Sequence, residues 1–458
     1  MPPISIRLWS WACLGFVGSV LVGLAGPHLA GGQVRWWFDP SLGVTPFYAG
    51  IVALCTAWLA LGGLELTTRE VRIVAAAWCL PLFLTAPLFS QDVYSYLAQG
   101  TIVHLGLDPY RDAPAVLVQH GQGHVLDAVS PFWRHTTAPY GPLFLWIVSW
   151  FSGASLVVGV LLTRALELVG FVLLGVFAPR LARALGADPA RAAWWVLLCP
   201  LVLLGLVAPA HNDLLMIGLL VAGVALALER RVLPAIVLCA LAATIKLPAA
   251  AAIPFILVAF GDRKTWFRGV FVAVAVVVAV SAISGLGLGW ISSNVFSTPD
   301  KVRLAITPAT ALGWTVAQVV PIGARGLESA LGVVAFGLSI VLGVVLLWRS
   351  RRENMVRNLA VALVAVAVCG PAAWPWYLTW GLVLLAACPG IQQSRALALA
   401  VVASALVVKA DGVLAFPLHT APVFVALYVG AAVVWLTRAR LPVVSNRRRV
   451  RTRAIVES

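Results

Sequence analysis

Apolar runs of about 20 residues recur from Trp9 to Leu436, and each can cross a hydrocarbon core of roughly 30 Å as a helix rising about 1.5 Å per residue. Water cannot be the main solvent for such a chain. Only 11% of the 458 residues are charged and 61% are hydrophobic, with a mean hydropathy of +0.98, whereas a soluble domain carries about a quarter charged residues. The pattern predicts an all-α, polytopic membrane helical bundle. The first run, Trp9 to about Gly26, follows Arg7 and exceeds the roughly 7–15 residues of a signal-peptide core, so it reads as an uncleaved span.

About fourteen spans can be drawn: 9–30, 45–64, 71–90, 155–178, 191–208, 212–229, 232–246, 248–260, 266–284, 327–348, 356–371, 374–388, 395–409 and 418–437. With the N-terminus inside, 23 of the 32 Lys and Arg fall on the cytoplasmic side, as the positive-inside rule requires. They include Arg180, Arg183, Arg230, Arg231, Arg263, Lys264, Arg351 and Arg352. All seven histidines and one long loop, 91–139, fall outside, so chemistry is expected there. A second outer segment, 285–326, carries Ser292, Asn294, Asp300, Lys301 and Arg303. Its stretch 309–320, and also 141–152, read either as spans or as re-entrant pieces. No repeat or soluble insert divides residues 1–440, which read as one membrane-embedded domain followed by a basic cytoplasmic tail, 441–458.

The net charge of +15 does not point to nucleic acid, because the basic residues lie in short clusters between apolar runs and form no basic-aromatic face. Arg447, Arg448, Arg449, Arg451 and Arg453 would instead attract anionic lipid headgroups. The seven cysteines sit within or at the ends of apolar runs, which fits neither a disulfide framework nor a zinc site.

The outer loop opens Phe89-Ser90-Gln91-Asp92-Val93-Tyr94-Ser95-Tyr96. Ser90 reads as an N-cap for a helix to about Leu105, with Val93, Leu97, Thr101 and Leu105 on one face and Asp92, Ser95, Tyr96 and Gln99 on the other. That two-faced pattern predicts a helix lying flat on the bilayer. Asp92 either compensates the helix dipole or takes a proton from a sugar hydroxyl. Asp108-Pro109-Tyr110 reads as a turn. His120, His124 and His135 match no HExxH spacing, and no metal is expected.

Further on, Arg164 and Glu167 lie three apart inside an apolar run and should face the bundle or each other. His211-Asn212-Asp213 opens another run, where Asn or Asp is a natural cap. Lys246 ends an Ala-rich run, either snorkelling to the interface or holding a lipid phosphate. Trp374-Pro375-Trp376-Tyr377 reads as an aromatic belt or as a platform that stacks on a sugar ring.

These pieces, with Ala138-Pro139-Tyr140-Gly141-Pro142-Leu143, Ala210-His211-Asn212-Asp213-Leu214-Leu215 and Lys246-Leu247-Pro248, occur in an order that resembles a known family. It is the actinobacterial polyprenol-phosphomannose-dependent α-(1→6)-mannopyranosyltransferases, MptA and MptB, of the GT-C class. The usage of 28 Arg against 4 Lys agrees with a high-GC actinobacterium. The resemblance implies a GT-C-like fold and inverting transfer of mannose from a polyprenyl-phosphate-mannose donor to a lipid-anchored mannan acceptor, the core of lipomannan and lipoarabinomannan, at the outer face of the plasma membrane. It implies Asp92 as the general base, Lys246, Arg164 and His211 at the donor phosphate, and Tyr96, Tyr140, Asn212, Asp213, Trp374, Trp376 and Tyr377 around the substrates, with no cofactor.

Two other readings stay open at this point. A GT-C enzyme for another polyprenyl-phosphate sugar, such as arabinofuranose, would use the same residues. A lipid-linked sugar flippase would need polar groups through the membrane midplane, whereas here they gather at outer helix ends.

Overall fold

Each of the apolar runs contains a helix, and several of the starts are capped by side chains. The computed structural model describes residues 4–31, 34, 36–37, 40, 42–293, 304, 306–321, 323–370 and 373–439. The expectations for Asn294, Asp300, Lys301 and Arg303, for the Ser292 side chain and for the tail 441–458 lie outside those residues.

In the N-terminal half the helices are α1 Ile4–Ala30, α2 Val44–Leu61, α3 Thr68–Leu84, α4 Asp92–His104, α5 Gly123–Ala128, α6 Pro142–Ser149, α7 Leu156–Ala184, α8 Pro189–Leu197, α9 Pro200–Val202 and α10 Asp213–Leu228. Then follow α11 Val232–Ala243, α12 Ala252–Phe260, α13 Arg263–Ile283, α14 Gly289–Ser293, α15 Pro308–Ala317, α16 Ala324–Trp348, α17 Met355–Cys369, α18 Thr379–Leu385, α19 Arg395–Val407 and α20 Ala421–Ala439. Among the described residues there is no sheet, only an isolated bridge between Val408 and Leu414.

Helix α3 starts in a capping box: the Glu70 amide donates to Thr67 Oγ1 at 3.2 Å and the Thr67 amide to Glu70 Oε2 at 2.7 Å. Those bonds to Thr67 hold the Glu70 carboxyl below its ordinary value. Asp262 caps α13 by accepting from the Thr265 amide at 2.7 Å.

Helices α1, α2, α7, α13 and α16 are long and apolar enough to cross a membrane, and α8 with Pro200–Val207 forms a pair bent by 40° that makes a sixth candidate. The bend lies at the break Leu198–Cys199, after which α9 runs into a π-helical turn, Leu203–Val207. Other apolar helical segments are shorter, at 10–17 residues. Of the two ambiguous stretches, α6 has 8 residues and α15 has 10. They rise only about 12 and 15 Å, so neither crosses a roughly 30 Å core by itself.

Helix α4 departs from its expected place. Residues from Val93 to Ile102 are all buried, on both of its faces, beneath α6 and α7. A helix lying flat on the bilayer would leave one face in water, whereas both faces here are covered. The bundle covers the apolar side, and the polar side lines a cavity. Ser90 does accept from the Asp92 amide at 3.1 Å.

Arg164 and Glu167 face the bundle, as membrane energetics demand, and are fully buried. They pair with backbone. Arg164 donates to the carbonyls of Phe83, of Thr85 at 2.9 Å and of Ala208 at 2.6 Å. Glu167 Oε2 accepts from the Leu215 amide at 2.9 Å and so caps α10 from its neighbour.

Candidate active site

Two segments in strained backbone lead into the polar motifs. Phe89 has φ 64° and Ala210 has φ 59°, the left-handed region that costs an L side chain energy, and each immediately precedes a motif, Ser90-Gln91-Asp92 and His211-Asn212-Asp213. Arg164 fastens both approaches, since Phe83 and Thr85 lie upstream of the first and Ala208 upstream of the second.

The two motifs meet at Asp92 and His211, whose Oδ2 and Nε2 are 3.7 Å apart. His211 is buried, stacks obliquely on Trp376 with centroids 4.4 Å apart, and places Nδ1 2.7 Å from the Gly205 carbonyl inside the π-helical turn. The Asp92 side chain keeps 22% of its surface open.

Because Glu167 caps α10, Asp213 is released from that duty. Its carboxylate takes two bonds from Lys246 Nζ, at 2.9 and 2.8 Å, and a third from Trp380 Nε1 at 2.6 Å. The expected Asn or Asp side-chain cap at this helix start is absent: the Asn212 side chain makes no cap bond and both its polar atoms are buried without a partner. Lys246 also lies 4.6 Å above the Tyr377 ring and 5.6 Å from that of Trp380. An ammonium has three donors, and Lys246 lines a cavity.

Tyr96, Tyr140 and Phe144 pack edge to face, Tyr96 to Tyr140 at 4.8 Å and Tyr96 to Phe144 at 5.0 Å. Burial, and then the negative charge of Asp92, holds the Tyr140 phenol neutral well above its ordinary value. The Asp108 turn supports this corner: Asp108 Oδ1 accepts from the Tyr110 amide at 2.9 Å, and the Tyr110 hydroxyl donates to the Tyr140 carbonyl at 3.1 Å. Gly141 brings the loop against the Lys246 segment, donating its amide to Ile245 at 2.9 Å. A Cβ on Gly141 would collide with the Thr244 carbonyl.

Two cavities open here. One, of about 390 Å³, is lined by Asp92, Ser95, Gln99, Lys246, Tyr377 and Trp380 at its polar end and extends between Phe336 and Ile340 of α16 and Leu363 and Val366 of α17. The other, of about 640 Å³, lies among loops and includes Ser90, Trp376, Lys409 and Asp411. Asp92, Trp133 and Trp374 belong to both.

The structure thus gathers Asp92, Lys246, Tyr140, Trp374, Trp376 and Tyr377 on cavity walls, with Tyr96, His211, Asn212 and Asp213 packed behind them. Arg164 lines neither cavity and is buried in the interior, where its two terminal nitrogens bond carbonyls. Trp380 and the 409–418 loop were missed by the sequence reading, which placed Gln99 on the polar face of its helix without giving it a role. Trp380 could have been found, because it lies one turn after Tyr377 and the two rings stack at 4.5 Å. Among the described residues, no group of three or more His, Cys, Asp or Glu side chains could hold a metal ion.

Comparison with known proteins shows the family. Residues 11–262 match the family model "Alpha-(1->6)-mannopyranosyltransferase, N-terminal domain", and residues 303–439 match "MptB C-terminal domain". The chain is 34% identical over 436 residues to alpha-(1->6)-mannopyranosyltransferase A of Mycobacterium tuberculosis, covering 84% of this chain and 81% of that one. It is 31% identical over 405 residues to alpha-(1->6)-mannopyranosyltransferase A of Corynebacterium glutamicum, covering 79% and 81%. No solved structure matches the chain. With its family models and relatives spread over most of its length, the chain belongs to the alpha-(1→6)-mannopyranosyltransferase family and is a mannosyltransferase.

Proposed function

We propose that this enzyme transfers mannose, with inversion, from polyprenyl-phosphate-mannose to a hydroxyl of a growing α-(1→6)-mannan, the core of lipomannan and lipoarabinomannan. The observation that carries the proposal is that a carboxylate, Asp92, and an ammonium, Lys246, line one cavity whose far end is apolar and lies between two helices. A polyprenyl chain fits the apolar end, and its phosphate fits beside Lys246.

In this reading the acceptor hydroxyl gives its proton to Asp92 while its oxygen attacks C1 of mannose from the face opposite the phosphate. The C1–O bond breaks, its electron pair leaves with the polyprenyl phosphate, and a β-linked donor becomes an α-linked product. A phosphate monoester with a second pKa near 6 departs without a general acid, provided a cation meets its charge, as Lys246 does here. Arg164, held on three carbonyls away from both cavities, serves the scaffold.

The topology that goes with this proposal has about fourteen crossings, both termini in the cytoplasm and the Asp92 loop outside. The concentration of Arg between apolar runs supports it.

The test is to incubate the purified full-length protein with radiolabelled polyprenyl-phosphate-mannose and a short α-(1→6)-mannan, then determine the new linkage. Formation of an α-(1→6) bond is the expected result. Transfer from a polyprenyl-phosphate pentose alone, or from no donor, overturns the reading.

A further inference from the structure

The larger cavity is not needed by the lipid donor, and its walls have a different chemistry. Among the described residues, no long apolar helix pair borders it. Its walls are the Ser90–Asp92 motif, the segment around Trp133, the paired indoles of Trp374 and Trp376, and the loop that follows α19. The two indoles stack with centroids 4.7 Å apart and planes 14° from parallel.

That loop is built as a small hairpin. The Lys409 amide donates to Val413 at 2.9 Å and the Ala415 amide to Val407 at 2.8 Å. At its tip, Asp411 Oδ1 accepts from the Val413 amide at 2.9 Å. The hairpin is fastened to the Asp92 motif: the Phe89 amide donates to the Ala410 carbonyl at 2.9 Å, and Gly412 packs so closely that a Cβ there would come within 3.2 Å of the Phe89 oxygen. Lys409 and Asp411 therefore stand at a fixed position relative to Asp92, both exposed on the cavity wall.

These features select a ligand class. Aromatic faces suit the apolar face of a sugar ring, and a carboxylate with an ammonium offers acceptors and donors to several hydroxyls. The two charges cancel, so the wall favours a neutral ligand over a phosphate. Since Asp92 belongs to both cavities, a hydroxyl entering from this cavity reaches the same carboxylate that the donor's cavity reaches.

We propose that the cavity between the Asp92 motif and the 409–418 hairpin is the acceptor subsite, which holds the end of a neutral α-mannoside chain, with Lys409 and Asp411 as specificity-determining residues. This rests on the mannosyltransferase reading and adds to it the route of the second substrate.

The test uses the full-length protein in lipid nanodiscs, an α-(1→6)-linked mannotetraose acceptor and polyprenyl-phosphate-mannose. Lys409→Ala, Asp411→Ala and Ala415→Trp are compared with the parent, the last filling the cavity. Each should raise the apparent KM for mannotetraose at least fivefold while that for the lipid donor stays within twofold. Lys409 is exposed and joins the hairpin through its backbone, so Lys409→Ala keeps the test intact if Asp411→Ala or Ala415→Trp fails to fold. A rise in donor KM alone, or no change in acceptor KM in the folded variants, overturns the subsite but leaves the transferase reading standing. A parent enzyme that transfers to no mannoside overturns both.

Discussion

His211 turns Nε2 to within 3.7 Å of Asp92 Oδ2 while its Nδ1 lies 2.7 Å from the Gly205 carbonyl. A carbonyl only accepts, so Nδ1 carries a hydrogen and a neutral ring presents the Nε2 lone pair to the carboxyl group. That arrangement suits a ring that shares the proton Asp92 receives. His211→Ala should lower kcat about tenfold, at the low end of acid–base assistance, with donor KM nearly unchanged. A large rise in donor KM would move His211 to the phosphate instead.

Asp92→Asn keeps size and shape but removes the proton acceptor. Transfer should fall by about 10² to 10⁴, the usual contribution of a general base. Thermal unfolding should be unaltered, because the side chain is partly open and faces the neutral His211 ring. Near-parental turnover would remove Asp92 from its proposed role.

Lys246→Met should raise donor KM at least tenfold and also lower stability, since Asp213 is almost wholly buried and would lose its counter-ion. Breaking such a pair from one side costs about 3–5 kcal/mol. Adding Asp213→Asn should recover much of the melting temperature without recovering donor affinity. Recovery of both would make Lys246 purely structural.

Most of the helices were legible because apolar length and Arg-rich junctions report directly on the surrounding lipid. Helix α4 was not, because a two-faced pattern looks the same whether its polar side meets water or a cavity. The residues around Asp92 could be named from their motifs, yet their pairings could not. A buried arginine such as Arg164 reads alike as a phosphate ligand or a carbonyl staple, and the cap of α10 comes from Glu167 in another helix. The Asp411-Gly412 turn was hidden by the apolar residues on either side of it.

Arg164→Leu should lower expression and thermal stability, because three carbonyls lose a charged donor, each such bond being worth about 1.5–3 kcal/mol. In the enzyme that survives, kcat should fall more than donor affinity, since both motif approaches loosen. A selective loss of donor affinity, measured by titrating the lipid donor, would return Arg164 to the phosphate site.

Gly141→Ala should force apart the loop and the Thr244–Lys246 backbone. Overpacking of this kind costs about 1–3 kcal/mol. Donor KM should rise, and the melting temperature should drop. An unchanged enzyme on both counts would mean that this close approach is dispensable.

Asp92 stands where two spaces join, so under the proposed function the spent lipid and the lengthened glycan would have different doors. A used carrier would then be exchanged for a charged one without the sugar chain letting go, a geometry that permits several additions in a single encounter.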